Sequence, residues 1–175
     1  VQPNYQISIL NLTDTQSKEE RTIYHCHYIT WPDHGVPSTT KPFIEFREAV
    51  NIQQEKLTEE FKNAPIVVHC SAGVGRTGTY IGYDALVNNF NKTPKKFINP
   101  YSILTWLREH RNHLIQVPEQ YNFLYQAASD KCNNLNMGKV EAKLALAQFK
   151  NPSDLAPHRS LPVAAAQAAQ ATRHP

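Results

Sequence analysis

At 175 residues, with 41% hydrophobic and 19% charged side chains, the chain has the size and composition of one globular domain with a real core, and composition alone names no function. A formal net charge of +3 without any long Lys/Arg block argues against a nucleic-acid partner, and no apolar run reaches bilayer length nor does a charged-apolar-small leader pattern open the chain. Three scattered cysteines, Cys26, Cys70 and Cys132, imply no disulfide framework and suit a reducing, cytoplasmic compartment.

Alternation of Tyr5, Ile7 and Ile9 within Tyr5 to Leu12, a polar turn over Asp14 to Lys18, and renewed alternation at Tyr24, Cys26 and Tyr28 predict two strands joined by a short connection. On the second strand His25 and His27 point one way and Cys26 the other. No second pair stands at zinc-ligand spacing, so this triplet is read as structural and no metal or cofactor is expected. Trp31 to Val36-Pro37 follows, dense in Pro and Gly, with one carboxylate, Asp33, which taken alone is a turn residue bonding its own backbone.

Ser38 to Thr40 can cap a helix whose stripe Phe43, Phe46 and Val50 faces a core, with Glu45, Arg47 and Glu48 expected toward solvent. Lys56 to Asn63 ends that helix and leads back to Ile66-Val67-Val68, a β-branched run expected as a buried strand. From Thr77 a helix with Tyr80, Ile81 and Ala85 resumes, and Asn88 to Pro100 reads as a polar connection. A further helix starts near Pro100 with Ile103, Leu107 and the pair Arg108 and Arg111. Another runs from Pro118 to about Ser129 with Tyr121, Leu124, Tyr125 and Ala128 at helical spacing. Val140, Leu144 and Ala147 could line a short helix, but from Asn151 the chain is Pro-, Ala- and Gln-rich without a buried face, so residues 131–175 are expected to be a mostly disordered tail.

Between the Ile66 strand and the Thr77 helix lie Cys70, Gly73, Gly75, Arg76 and Gly78. Glycines let a backbone turn sharply and aim its N–H groups inward, and a helix N-terminus adds its positive dipole end, so this loop is built to hold an anion. Arg76 supplies a fork suited to two phosphate oxygens. Cys70 stands where the same field favours a thiolate, the setting in which thiol pKa values fall to ~3.5–7.5. Gly73-x-Gly75-x-x-Gly78 also matches the dinucleotide-binding fingerprint. That fingerprint wants an acidic residue about 20 positions on, where this chain has the basic Asn91-Lys92-Thr93-Pro94-Lys95-Lys96.

The string His69-Cys70-Ser71-Ala72-Gly73-Val74-Gly75-Arg76-Thr77-Gly78 resembles the signature loop of the cysteine-dependent protein tyrosine phosphatases. Trp31-Pro32-Asp33-His34-Gly35-Val36-Pro37 resembles that family's acid loop, and Leu114 to Tyr121 its glutamine loop, with Val117-Pro118 where the family usually has threonine after the first glutamine. The resemblance implies an α/β fold, a central twisted mixed sheet flanked by helices, of which residues 1–130 form a partial catalytic domain lacking its N-terminal part. It implies hydrolysis of phosphotyrosine in proteins without a cofactor. Cys70 would be the nucleophile and Arg76 the phosphate clamp. Asp33 would act as general acid and base, Gln116 would orient water, and the Thr77 hydroxyl would steady the thiolate. Ser71, Ala72, Gly73, Val74, Gly75 and Arg76 would contact the phosphate, and Gln120 would assist less directly. The partners it implies are phosphotyrosine proteins, with this chain cytoplasmic or the cytoplasmic part of a membrane-anchored one. The alternative is a catalytically inactive phosphotyrosine-binding or regulatory phosphatase-like module. Such domains usually lose the cysteine, the arginine or the loop aspartate, and all three are here. A thiol redox protein would want a resolving cysteine near Cys70, and neither Cys26 nor Cys132 is near it in sequence.

Overall fold

A computed structural model of the chain describes residues 3–32, 35–59, 61, 63–92 and 98–134. It divides into two compact units, one ending at Ala64 and the other beginning at Pro65.

In the first unit, strands β1 (Tyr5–Thr13) and β2 (Glu20–Tyr28) pair antiparallel from Tyr5↔Tyr28 to Thr13↔Glu20. Asp14 makes the turn: its carboxylate accepts the Gln16 and Ser17 N–H groups at 2.7 and 3.0 Å, as short polar side chains do in turns. Period-two alternation puts Tyr5, Ile7, Cys26 and Tyr28 on the half-buried face and His25 and His27 outward. Helix α1 (Lys41–Glu55) follows, with Pro42 in its first turn, where no N–H is missed. The core of this unit is aromatic. Tyr28 meets Phe46 at 5.4 Å between ring centroids and Trp31 meets Phe43 at 5.6 Å, both edge-on as ring quadrupoles prefer. Arg47, expected toward solvent, is buried and pairs with Glu48 at 3.5 Å. It stands four residues after Phe43 and so shares the core stripe, which the three apolar positions alone had drawn too narrow.

The second unit packs three helices, α2 (Gly75–Lys92), α3 (Pro100–His110) and α4 (Pro118–Asn134), with α2 against both others. Tyr83, Leu86, Val87 and Phe90 of α2, Leu107 of α3 and Leu124 and Ala127 of α4 are buried. Asn99 caps α3 by accepting the Ser102 N–H at 3.1 Å. Helix α2 runs on to Lys92, into the first part of the stretch read as a polar connection. Phe90 is buried there, and Asn88 donates to Asp84 at 2.9 Å, one turn back. Helix α4 continues past Ser129 to Asn134, and the rest of the expected tail lies outside the described residues.

The expected central twisted mixed sheet is not there. Among the described residues the fold is mostly helical, with one two-stranded sheet. Ile66-Val67-Val68 forms no strand, and Ile66 and Val67 are 40% and 64% exposed. Propensity alone does not make a strand; its backbone needs a ladder partner, and β1 and β2 bond only each other. The hairpin is correspondingly bare. Leu10, Leu12 and Ile23 are exposed on one face, beside open edges of the kind that pair with other chains. The chain is therefore expected to bind a hydrophobic dye and to self-associate as its concentration rises. Leu10→Thr with Leu12→Thr should suppress both, and dye fluorescence with light scattering checks this. Unchanged association in the double variant would clear the hairpin of the role.

Candidate functional site

The site is built where the loop after His69 enters α2. Gly73 takes φ of +68°, a conformation open to glycine, and this turns the loop so that successive N–H groups face inward. Burial by itself pushes the Cys70 thiol up. The Thr77 hydroxyl and the N–H groups of Thr77, Gly73 and Val74 outweigh it and hold the thiol below its ordinary value. Thr77 is itself buried, and among the described residues its hydroxyl has no other partner. The other two cysteines behave oppositely. Burial raises Cys26, and it raises Cys132 to about 11, with Lys131 only partly offsetting it. All three are free thiols.

The connector from α3 to α4 lies against this loop. The Ile115 N–H donates to the Val74 carbonyl at 3.1 Å, the same oxygen that takes the first helical bond of α2 from Gly78 at 3.1 Å. Arg111 reaches the Ala72 carbonyl at 3.3 Å. The Gln120 amide packs on Gly75, its Nε2 lying 2.8 Å from where a Cβ would stand there, and Gln116 Oε1 is close behind at 3.4 Å. Gln120 is buried and accepts the Gln116 N–H at 2.9 Å, which leaves the Gln116 side chain exposed beside the loop. Val117 and Pro118, the departure from the family pattern, open α4. Pro118 is its first residue, and the Val117 carbonyl accepts from Gln120 and Tyr121.

Of the residues singled out from sequence, Cys70, Ser71, Ala72, Gly73, Val74, Gly75, Arg76 and Thr77 thus form one loop and helix start, with Gln116 and Gln120 brought to it from 40 residues on. Arg76 is half-buried in the first turn of α2. Asp33 lies outside the described residues. Beside it, the Trp31 indole donates to the Gly35 carbonyl at 3.2 Å. Sequence reading missed Arg108, whose guanidinium donates to the Leu114 and Ile115 carbonyls at 3.1 and 2.8 Å. Its one visible signal was a basic residue in the last turn of a helix just before the glutamine stretch.

Backbone donors from Gly73, Val74 and Thr77 converge on the Cys70 sulfur where α2 starts. The protein-tyrosine phosphatase family matches residues 1–130. The chain belongs to that family. It is 38% identical over 130 residues to receptor-type tyrosine-protein phosphatase eta of Gallus gallus, covering 74% of this chain and 9% of that protein. With human receptor-type tyrosine-protein phosphatase C it shares 40% over 126 residues (71% and 9%), and with tyrosine-protein phosphatase 99A of Drosophila melanogaster 41% over 112 (64% and 8%). The chain therefore spans under a tenth of the length of these relatives. Among the described residues no helix is long and apolar enough to cross a membrane.

Proposed function

We propose that this chain acts as a phosphotyrosine-binding, phosphatase-like module whose own turnover is low or absent. The observation that carries the reading is the Cys70 loop. Its N–H groups and the Thr77 hydroxyl already favour a negative charge at the loop floor, although the segment leading into it, Ile66 to Val68, forms no strand and leaves Ile66 and Val67 exposed. Holding a dianion needs only converging donors and a positive helix end. Catalysis asks for groups fixed to within about 0.5 Å by rigid supports, and an unpaired lead-in segment is not one. Phosphotyrosine proteins are the partners this implies, in a reducing compartment where Cys70 stays unoxidised.

The lowered Cys70 thiol favours a second reading, hydrolysis. The Cys70 thiolate would attack phosphorus, forming a P–S bond as the P–O bond breaks, with Arg76 and the loop N–H groups opposing the charge on the phosphoryl oxygens. Asp33 would give its proton to the departing phenolate and then take one from a water oriented by Gln116. That water would release phosphate and return the thiolate beside Thr77. Calorimetry with a phosphotyrosine peptide and its unphosphorylated twin, run beside an aryl phosphate assay, separates the readings. Phosphate-dependent binding without turnover is expected. Turnover lost in Cys70→Ser and in Asp33→Asn would favour hydrolysis, and equal affinity for both peptides would overturn both readings.

A further inference from the structure

The connector between α3 and α4 holds two of the three described non-glycine residues with positive φ, His113 at 64° and Ile115 at 58°. For a β-branched residue that conformation is an outlier costing on the order of 1–3 kcal/mol, so something must hold Ile115 in it. Burial of its side chain is one hold, and Arg108 is the other. The guanidinium places Nε on the Leu114 carbonyl and a terminal nitrogen on the Ile115 carbonyl, a planar fork gripping two successive peptides. With both carbonyls gripped, the Ile115 N–H is turned onto the Val74 carbonyl. Val74 is in turn one of the residues whose N–H faces the Cys70 sulfur.

We propose that Arg108 is a positioning residue for the Cys70 loop. By gripping the Leu114 and Ile115 carbonyls it keeps the Ile115 N–H on Val74, and so keeps the loop donors aimed at the sulfur and at an anion bound over it. The proposal rests on the reading of this loop as an anion site. Arg108 acts here through shape, since a positive charge alone would favour a thiolate with no hydrogen bond at all. The other charged and titratable groups around the loop stay in place: His69 and Arg76 on the loop and α2, Arg111 just past the end of α3, His113 on the connector and Glu119 in the first turn of α4.

The test is the pH profile of iodoacetamide alkylation at Cys70 in the full chain, with the modified peptide identified by mass. Arg108→Gln and Arg108→Lys are both expected to move the midpoint up by about one pH unit, slowing alkylation about tenfold below it. Lysine keeps the charge but cannot span two carbonyls, so it should behave like glutamine. Ethylguanidinium added to Arg108→Ala should move the midpoint back. A wild-type profile in Arg108→Lys, or no return with ethylguanidinium, overturns the proposal. Should the unsubstituted chain itself titrate at the ordinary thiol value, the anion-site reading falls and takes this proposal with it. A lowered midpoint that ignores all three substitutions overturns the role of Arg108 alone.

Discussion

Cys70→Ser is expected to remove nearly all alkylation of the chain near pH 7 and any aryl phosphate turnover, while phosphotyrosine peptide binding survives. Thiolate, not thiol, is the nucleophile, and of the three cysteines only Cys70 is held below the ordinary value of 9.0; burial pushes Cys26 and Cys132 the other way. Serine keeps the loop backbone and its donors, so the anion seat remains while the reactive atom goes. The substitution also has a signature in stability. A depressed folded-state value means that the thiolate stabilises the fold above pH 9.0, and that this contribution is lost as pH falls through the lowered value. The difference in melting temperature between the two proteins should therefore widen from acid to alkaline pH. Substantial labelling of Cys70→Ser at pH 7, or a gap that does not change with pH, would remove Cys70 from the centre of the site.

What could be read from the sequence was local. Alternation gave the hairpin, Pro100 gave the start of α3, and Phe43, Phe46 and Val50 gave the buried side of α1, each fixed by neighbours within a few residues. The failures are non-local. Ile66 to Val68 has the composition of a strand, but a strand exists through a partner that no local pattern supplies. Phe90 extended α2 because the core beneath it was worth more than the polar residues around it. At the site, the string from His69 to Gly78 marked out the loop and the one cysteine whose thiol it holds below the ordinary value. The bond from Ile115 to Val74 joins residues 41 apart through a left-handed isoleucine, and neither spacing nor propensity announces it. Arg108 was hidden for the same reason: its partners are backbone carbonyls, which every residue has.

Gly78→Ala sets two opposing effects against each other, and their sizes decide the outcome. Inside a helix alanine is favoured over glycine by about 0.8–1 kcal/mol, so propensity alone predicts a more stable α2. A Cβ at Gly78, however, would run into the backbone nitrogen of Ile115, with Leu114 Cα and its carbonyl carbon both at 3.1 Å. These are main-chain atoms and cannot swing aside as a side chain would. They are also held in place, since Ile115 N–H is on Val74 and Arg108 grips the carbonyls of Leu114 and Ile115. Relief requires the connector to lift from α2, which loosens two hydrogen bonds to a charged group at roughly 1.5–3 kcal/mol each and adds an overpacking cost of about 1–3 kcal/mol. The contact outweighs propensity, and a net destabilisation of about 2 kcal/mol or more is expected. In a unit of this size that lowers the melting temperature by roughly 10 °C, read by circular dichroism at 222 nm. Because the same movement withdraws Ile115 from Val74, Cys70 alkylation near neutral pH should slow in step. A melting temperature raised by the substitution would mean that α2 and the connector do not approach this closely, and the coupling between the glutamine segment and the Cys70 loop would fail with it.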